Sequence, residues 1–155
     1  MIAIRKTGER CPMPSRARRD GIALNIAASG WGALAPEAIR VRPPTYVHIR
    51  VEAVVIARSA DGVAQVEKEV RSAIVRFLHP MDGGAGGLGW PFARRPWPSD
   101  VQRVAAAVAG VDRVVDVVIA ARDAGADLDR LGADALVCAE EDDICLTVQP
   151  PRSAR

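Results

Sequence analysis

Residues 46–78, YVHIRVEAVVIARSADGVAQVEKEVRSAIVRFL, hold the two patterns that decide the fold. From Tyr46 to Ala57 the positions Val47, Ile49, Val51, Ala53, Val55 and Ala57 are apolar, while Tyr46, His48, Arg50 and Glu52 alternate with them. A period of two is the pleat of a β-strand with one face buried. From Val54 onward both faces are apolar, which predicts a strand end covered on both sides. Asp61-Gly62 ends the strand, and the period then changes. Val63, Val66, Val70, Ile74 and Phe77 recur at intervals of three and four, with Leu78 widening the stripe, so 63–78 is predicted to be an amphipathic helix. Glu67 and Arg71 form an i,i+4 pair on its polar side. Pro80 stops it at about His79.

Downstream, Met81 to Pro98 is a long loop carrying Gly83, Gly84, Gly86, Gly87 and Gly89. Structureless segments of this length are usually functional or disordered. Ser99 is the expected N-cap of a second helix, with Gln102 at the capping-box position and an apolar stripe of Val101, Val104, Ala105 and Val108. Gly110 supplies its stop. Val111 to Ala121 is a Val-rich strand, apolar on both faces toward its end, and Asp123 to Asp134 is a polar connection. Leu136 to Val148 reads as two short strands, Leu136–Ala139 and Ile144–Val148, in a hairpin around Glu140-Glu141-Asp142-Asp143, or as one bulged strand. Helices fill the crossover between strands 46–57 and 111–121, so these strands are expected to lie parallel with a right-handed connection, and the last strand or hairpin antiparallel to them. The fold class is α+β: a two-layer sandwich with a small mixed sheet of three to four strands and two helices on one face. This domain spans 42–149. Residues 1–41 form a basic, weakly ordered segment with short helices expected at Asp20–Ala28 and around Pro36–Arg40, and residues 150–155 are a tail.

The 155 residues include 27 Ala and 19 Val but only six aromatics, and three of those (Trp90, Phe92 and Trp97) lie within eight positions. A core of small side chains buries little area per residue, which argues for marginal stability alone and for help from a partner. Net charge is +2, too small to imply nucleic acid. Residues 1–45 carry +5 and residues 127–143 carry −6, so the basic head has the charge to bind phosphate or an acidic surface. Arg outnumbers Lys 19 to 2, which favours bidentate contacts. Three cysteines, Cys11, Cys138 and Cys145, have no disulfide-framework spacing and point to a reducing, cytoplasmic setting. No apolar run approaches the ~18 residues of a membrane span, and no secretory leader is recognisable.

Chemical motifs are sparse. Gly84-Ala85-Gly86-Gly87-Leu88-Gly89 matches G-x-G-x-x-G, but it follows a helix and precedes Trp90-Pro91, so it lacks the strand-to-helix setting of a dinucleotide site. Cys11-Pro12-Met13-Pro14 resembles the CPxP motif of sulfur-carrier proteins, in which a Cys at a helix start carries a persulfide. His48 and His79 have no Cys or carboxylate at metal-ligand sequence spacing, and Cys138 and Cys145 read as small core residues. The acidic turn 140–143 lacks the alternating oxygen ligands of a Ca²⁺ loop and reads as solvated. No catalytic residue, metal site, cofactor or small-molecule substrate is expected.

One longer pattern is more specific. Phe77-Leu78-His79-Pro80-Met81-Asp82-Gly83-Gly84, then Gly89-Trp90-Pro91-Phe92, Ser99-Asp100-Val101 and Gly110-Val111-Asp112-Arg113-Val114, resembles the C-terminal region of baseplate J-like proteins, the wedge components of contractile phage tails and related injection systems. The lead-in 42–47 and the ending 135–148 look similar too, so the resemblance covers roughly 42–148. Family members are usually several hundred residues long, and they commonly have Gly-Arg after Trp-Pro-Phe, where this chain has Ala93-Arg94-Arg95. The resemblance implies a structural protein without turnover, contacting other wedge subunits in a hetero-oligomeric ring around a tail hub. A Gly-rich loop bearing Trp and Arg also has interface composition in its own right. Gly83, Gly84, Gly89, Trp90, Pro91, Phe92, Arg94, Arg95 and Trp97 are therefore the candidate interface, with Trp90 and Phe92 equally readable as the domain's own core anchors. The alternatives are a sulfur carrier acting through Cys11 and a nucleic-acid binder acting through the basic head.

Overall fold

The computed structural model describes residues 11–29, 38–123 and 125–151. The chain divides into two compact units, residues 1–45 and 46–155. In the first, helix α1 spans Arg16–Ala28. The Ser15 side chain accepts the Arg18 N–H at 3.4 Å and caps the helix, which therefore starts four residues before the expected Asp20. The helix expected around Pro36–Arg40 falls partly outside the described residues.

The second unit contains β1 (Thr45–Ala57, all but its first residue), α2 (Val63–Phe77), α3 (Pro98–Ala106), β2 (Val111–Ala121), β3 (Ala135–Cys138) and β4 (Ile144–Gln149). This is the expected α+β fold with a small mixed sheet. Strand β1 is central: β2 lies on one side of it, and β3 and β4 lie on the other.

Strand direction corrects the sequence reading. β2 runs antiparallel to β1, and β4 runs parallel to it. The cause is the number of crossover helices. One helix returns the chain to the far end of the sheet for a parallel strand, whereas two helices in succession go out and come back. The chain therefore enters β2 beside the point where it left β1, with the Arg58 N–H donating to Gly110 O at 2.8 Å and Ala57 opposite Val111. The 136–148 segment likewise does not fold as a hairpin, since β3 and β4 both pair with β1. A short 3-10 turn, Glu141–Asp143, links them. Asp143 anchors that turn. Its Oδ2 accepts the Glu140 N–H at 3.0 Å, and Arg122 donates to its Oδ1 at 3.1 Å. The acidic turn is thus solvated at three positions and buried at the fourth.

The register builds the core. Val51 stands opposite Ile119 and Ile144, and Ala53 opposite Val117 and Leu146. Against this face pack Val66, Val70, Ile74 and Phe77 of α2 with Val101 and Ala105 of α3. Arg71 does more than pair with Glu67. Its Nη1 donates to Glu141 O at 3.2 Å and also to Ile144 O, fastening α2 to the start of β4. Leu128 and Leu131 of the polar connection pack on the core as well.

Strand β2 carries two register shifts, at Val54/Val55 and Ile56/Ala57, which leave Val115 and Asp112 as extra residues. Val111, Val114 and Val117 therefore turn inward at intervals of three rather than two. This accounts for the sequence reading as apolar on both faces: Val115, 57% exposed, and Val118 lie on the outside. At the far end of β1, Ile56 is buried as expected and Val54 is half-buried.

The start of α3 is also a correction. Its N-cap is Trp97 rather than Ser99, with Pro98 at the first helical position and Asp100 Oδ2 accepting the Trp97 N–H at 3.2 Å. Proline's fixed φ suits that position, and its missing N–H costs nothing there. The helix ends at Ala106, so Val108 sits in the turn toward Gly110 and β2. Ile74→Ala should lower the unfolding free energy by about 2–5 kcal/mol. Val115→Ala should stay within about 0.5 kcal/mol. Urea denaturation of both variants checks this contrast.

Candidate functional site

The 78–97 loop is held by its own backbone. Gly83 N–H donates to His79 O and Gly84 N–H to Phe77 O, both at 2.8 Å. Gly89 N–H donates to Gly83 O at 3.0 Å and Trp90 N–H to Pro80 O at 2.9 Å. His79 Nδ1 accepts the N–H groups of Met81 and Asp82 at 3.2 and 3.1 Å. Asp82 Oδ2 also approaches the same nitrogen at 3.9 Å. Gly83 has no alternative: a Cβ would lie 2.3 Å from Phe77 O and 2.4 Å from His79 O. Gly89 has φ +98°, and a Cβ there would lie 2.8 Å from Pro80 O.

This backbone divides the candidate residues into two groups. Trp90 is 5% exposed and meets Phe77 edge to face, with ring centroids 5.3 Å apart at 82°. Its indole N–H donates to Arg94 O at 2.6 Å. Buried aromatics with their polar handle satisfied are core anchors, so Trp90 takes the core role and Phe92 lies exposed. Pro91 and Arg94 are exposed too. Trp97 is 51% exposed, and the Arg95 guanidinium lies 4.4 Å from its ring centroid while pairing with Asp129. Ala93 N–H donates to Ala135 O at 2.9 Å, tying the loop to β3. The sequence reading overlooked Leu88, which is 93% exposed between two glycines.

A cleft of about 190 Å³ opens under the loop. Phe77, Leu88, Trp90 and Pro91 supply its apolar lining, and Arg94 and Asp100 its charged groups. Asp100 is already engaged, through the Trp97 N–H and, at 3.9 Å, Arg103.

Elsewhere, the tertiary fold brings together residues whose sequence spacing gave no hint of contact. Cys138 Sγ lies 3.5 Å from His48 Nδ1 and 3.8 Å from Nε2. The near-equal distances put the sulfur beside the ring rather than in line with either nitrogen, a poor geometry for proton transfer. On the outer sheet face Arg50 Nη2 donates to Cys145 Sγ at 3.1 Å, with Glu52 at 3.4 Å. These two contacts, the sulfur first, hold the Arg50 pKa above its ordinary value. Cys11 precedes the Ser15 cap of α1 by four residues, so it does not occupy the first turn of that helix. Among the described residues, no helix is long and apolar enough to cross a membrane.

No protein-family model matches the chain, and no curated protein matches it.

Two substitutions test the loop. Gly83→Ala should destabilise by about 1–3 kcal/mol, since backbone must shift to admit the methyl. Gly86→Ala, whose added Cβ meets only the Leu88 side chain at 3.9 Å, should be nearly neutral. Thermal unfolding of the pair measures the difference.

Proposed function

We propose that this chain is a structural assembly protein, a baseplate wedge component of a contractile phage tail or tail-like injection system, acting through protein–protein contacts with other wedge subunits. The observation that carries the reading is the presentation of Leu88, Phe92 and Trp97 outside the core by a loop whose backbone is internally bonded. A chain this poor in large apolar side chains leaves these three exposed among the described residues, where a partner protein could cover them. Exposed Trp and Arg on a rigid support is hot-spot composition, and rigidity lowers the ordering cost of association.

A second observation supports the resemblance. Ala93 has φ +58°, the left-handed region that favours glycine, at the position where baseplate J-like proteins commonly have Gly. The backbone there retains a glycine conformation under an alanine side chain. Ala93→Gly should therefore raise stability by about 0.5–1 kcal/mol despite the added freedom of its unfolded chain, with thermal denaturation as the readout.

The direct test is co-expression with wedge and hub proteins of contractile tails or tail-like injection systems. Co-purification is expected, and Trp97→Ala should weaken it at least tenfold while leaving the unfolding midpoint nearly unchanged. Trp90→Ala should instead lower that midpoint, because its ring is packed on Phe77. A chain that stays a monodisperse monomer in the presence of those proteins overturns the proposal.

A further inference from the structure

Resting on the assembly reading, we infer that the cleft under the 78–97 loop receives one apolar side chain of a partner protein with an aspartate or glutamate beside it, the carboxylate going to Arg94. The cleft measures about 190 Å³, and Trp90 in its lining is fixed edge to face on Phe77. A dry apolar cavity of about 150 Å³ accepts a group the size of benzene, so one aliphatic side chain matches the space. The charges around the opening decide what stands next to it. Asp100 is committed to the cap of α3 and to Arg103. Arg95 is committed to Trp97 and Asp129, and Arg103 lies 5.9 Å over the Phe77 ring. Arg94 is the exception: its carbonyl is pinned by the Trp90 indole, while its guanidinium is exposed and has no ion-pair partner among the described residues. The uncommitted charge at this cleft is therefore positive and springs from a fixed backbone position. A carboxylate meets it favourably, and a neighbouring lysine would be repelled. The loop already holds one carboxylate in this manner, with Asp129 on Arg95.

The test uses the full chain, isotopically labelled for amide NMR, titrated with N-acetyl-Leu-Asp-amide, N-acetyl-Leu-Asn-amide and N-acetyl-Leu-Lys-amide. The aspartyl probe should shift the Gly84–Gly89 amides and the Trp90 indole N–H saturably. The asparaginyl probe should bind about tenfold more weakly, the loss expected for one charge-assisted contact, and the lysyl probe more weakly still. Arg94→Gln should erase the preference for the aspartyl probe, and the same spectra report that the variant is folded. Equal affinity for the aspartyl and asparaginyl probes, an unchanged preference in Arg94→Gln, or no saturable shift overturns the inference. Failure here is separable from failure of the assembly reading. If Trp97→Ala weakens co-purification but Arg94→Gln neither weakens it nor alters probe binding, assembly stands and this cleft is not part of it. If the wild-type chain binds the aspartyl probe selectively but never co-purifies, the cleft stands and the wedge role falls.

Discussion

The approach of the Gly83 α-carbon to the carbonyl oxygens of Phe77 and His79 is the constraint on which the helical layer depends. It lets the chain double back within six residues of the end of α2, with two backbone hydrogen bonds closing the turn. That return places Trp90 on Phe77, and the indole then fixes Arg94 O. From there the chain reaches Trp97 aimed correctly to start α3. At nine residues, α3 is too short to be stable as an isolated helix. Its cap, its proline start and the burial of Val101 and Ala105 against the sheet hold it in place.

A layer built from valine and alanine leaves little margin, and polar ties reinforce it where the sheet meets the helices. Arg71 joins α2 to the first residue of β4, and Arg122 reaches Asp143 in the turn before that strand. Asp143 is the buried charge among the described residues, and it is matched on both carboxylate oxygens. A buried charge is tolerable on those terms, and removing Arg122 would leave the Asp143 carboxylate buried without its counter-charge. The same economy marks the loop, where Trp90 spends its bulk inside and Trp97 keeps half of its surface outside.

Much of this was legible in the sequence because it is written in periods. The alternation 46–57 and the three-four spacing 63–77 give β1 and α2 to within a residue or two, and Pro80 marks the stop. Strand direction was not legible, because residue patterns say that helices intervene but not that two of them return the chain to its starting end. Ser99 resembled a cap more than Trp97 did, yet proline geometry and the Asp100 carboxylate outweigh side-chain preference at the cap itself. Around the candidate site, the clustering of glycines and prolines marked the segment between α2 and α3 as a loop. The division of its aromatics into a buried Trp90 and a half-exposed Trp97 depends on Phe77 and Arg95 and so on the folded chain. The contact of Cys138 with His48 was invisible for the same reason, since 90 residues separate them.

The paired bulges of β2 have a meaning beyond their own geometry. This strand is the rim of the sheet, eleven residues long and rich in valine, the kind of edge that recruits foreign strands and seeds aggregates. Two irregularities, with Asp112, Arg113 and Asp116 among them, interrupt the regular ladder a templated strand requires. The rim is thereby guarded against indiscriminate pairing with foreign strands.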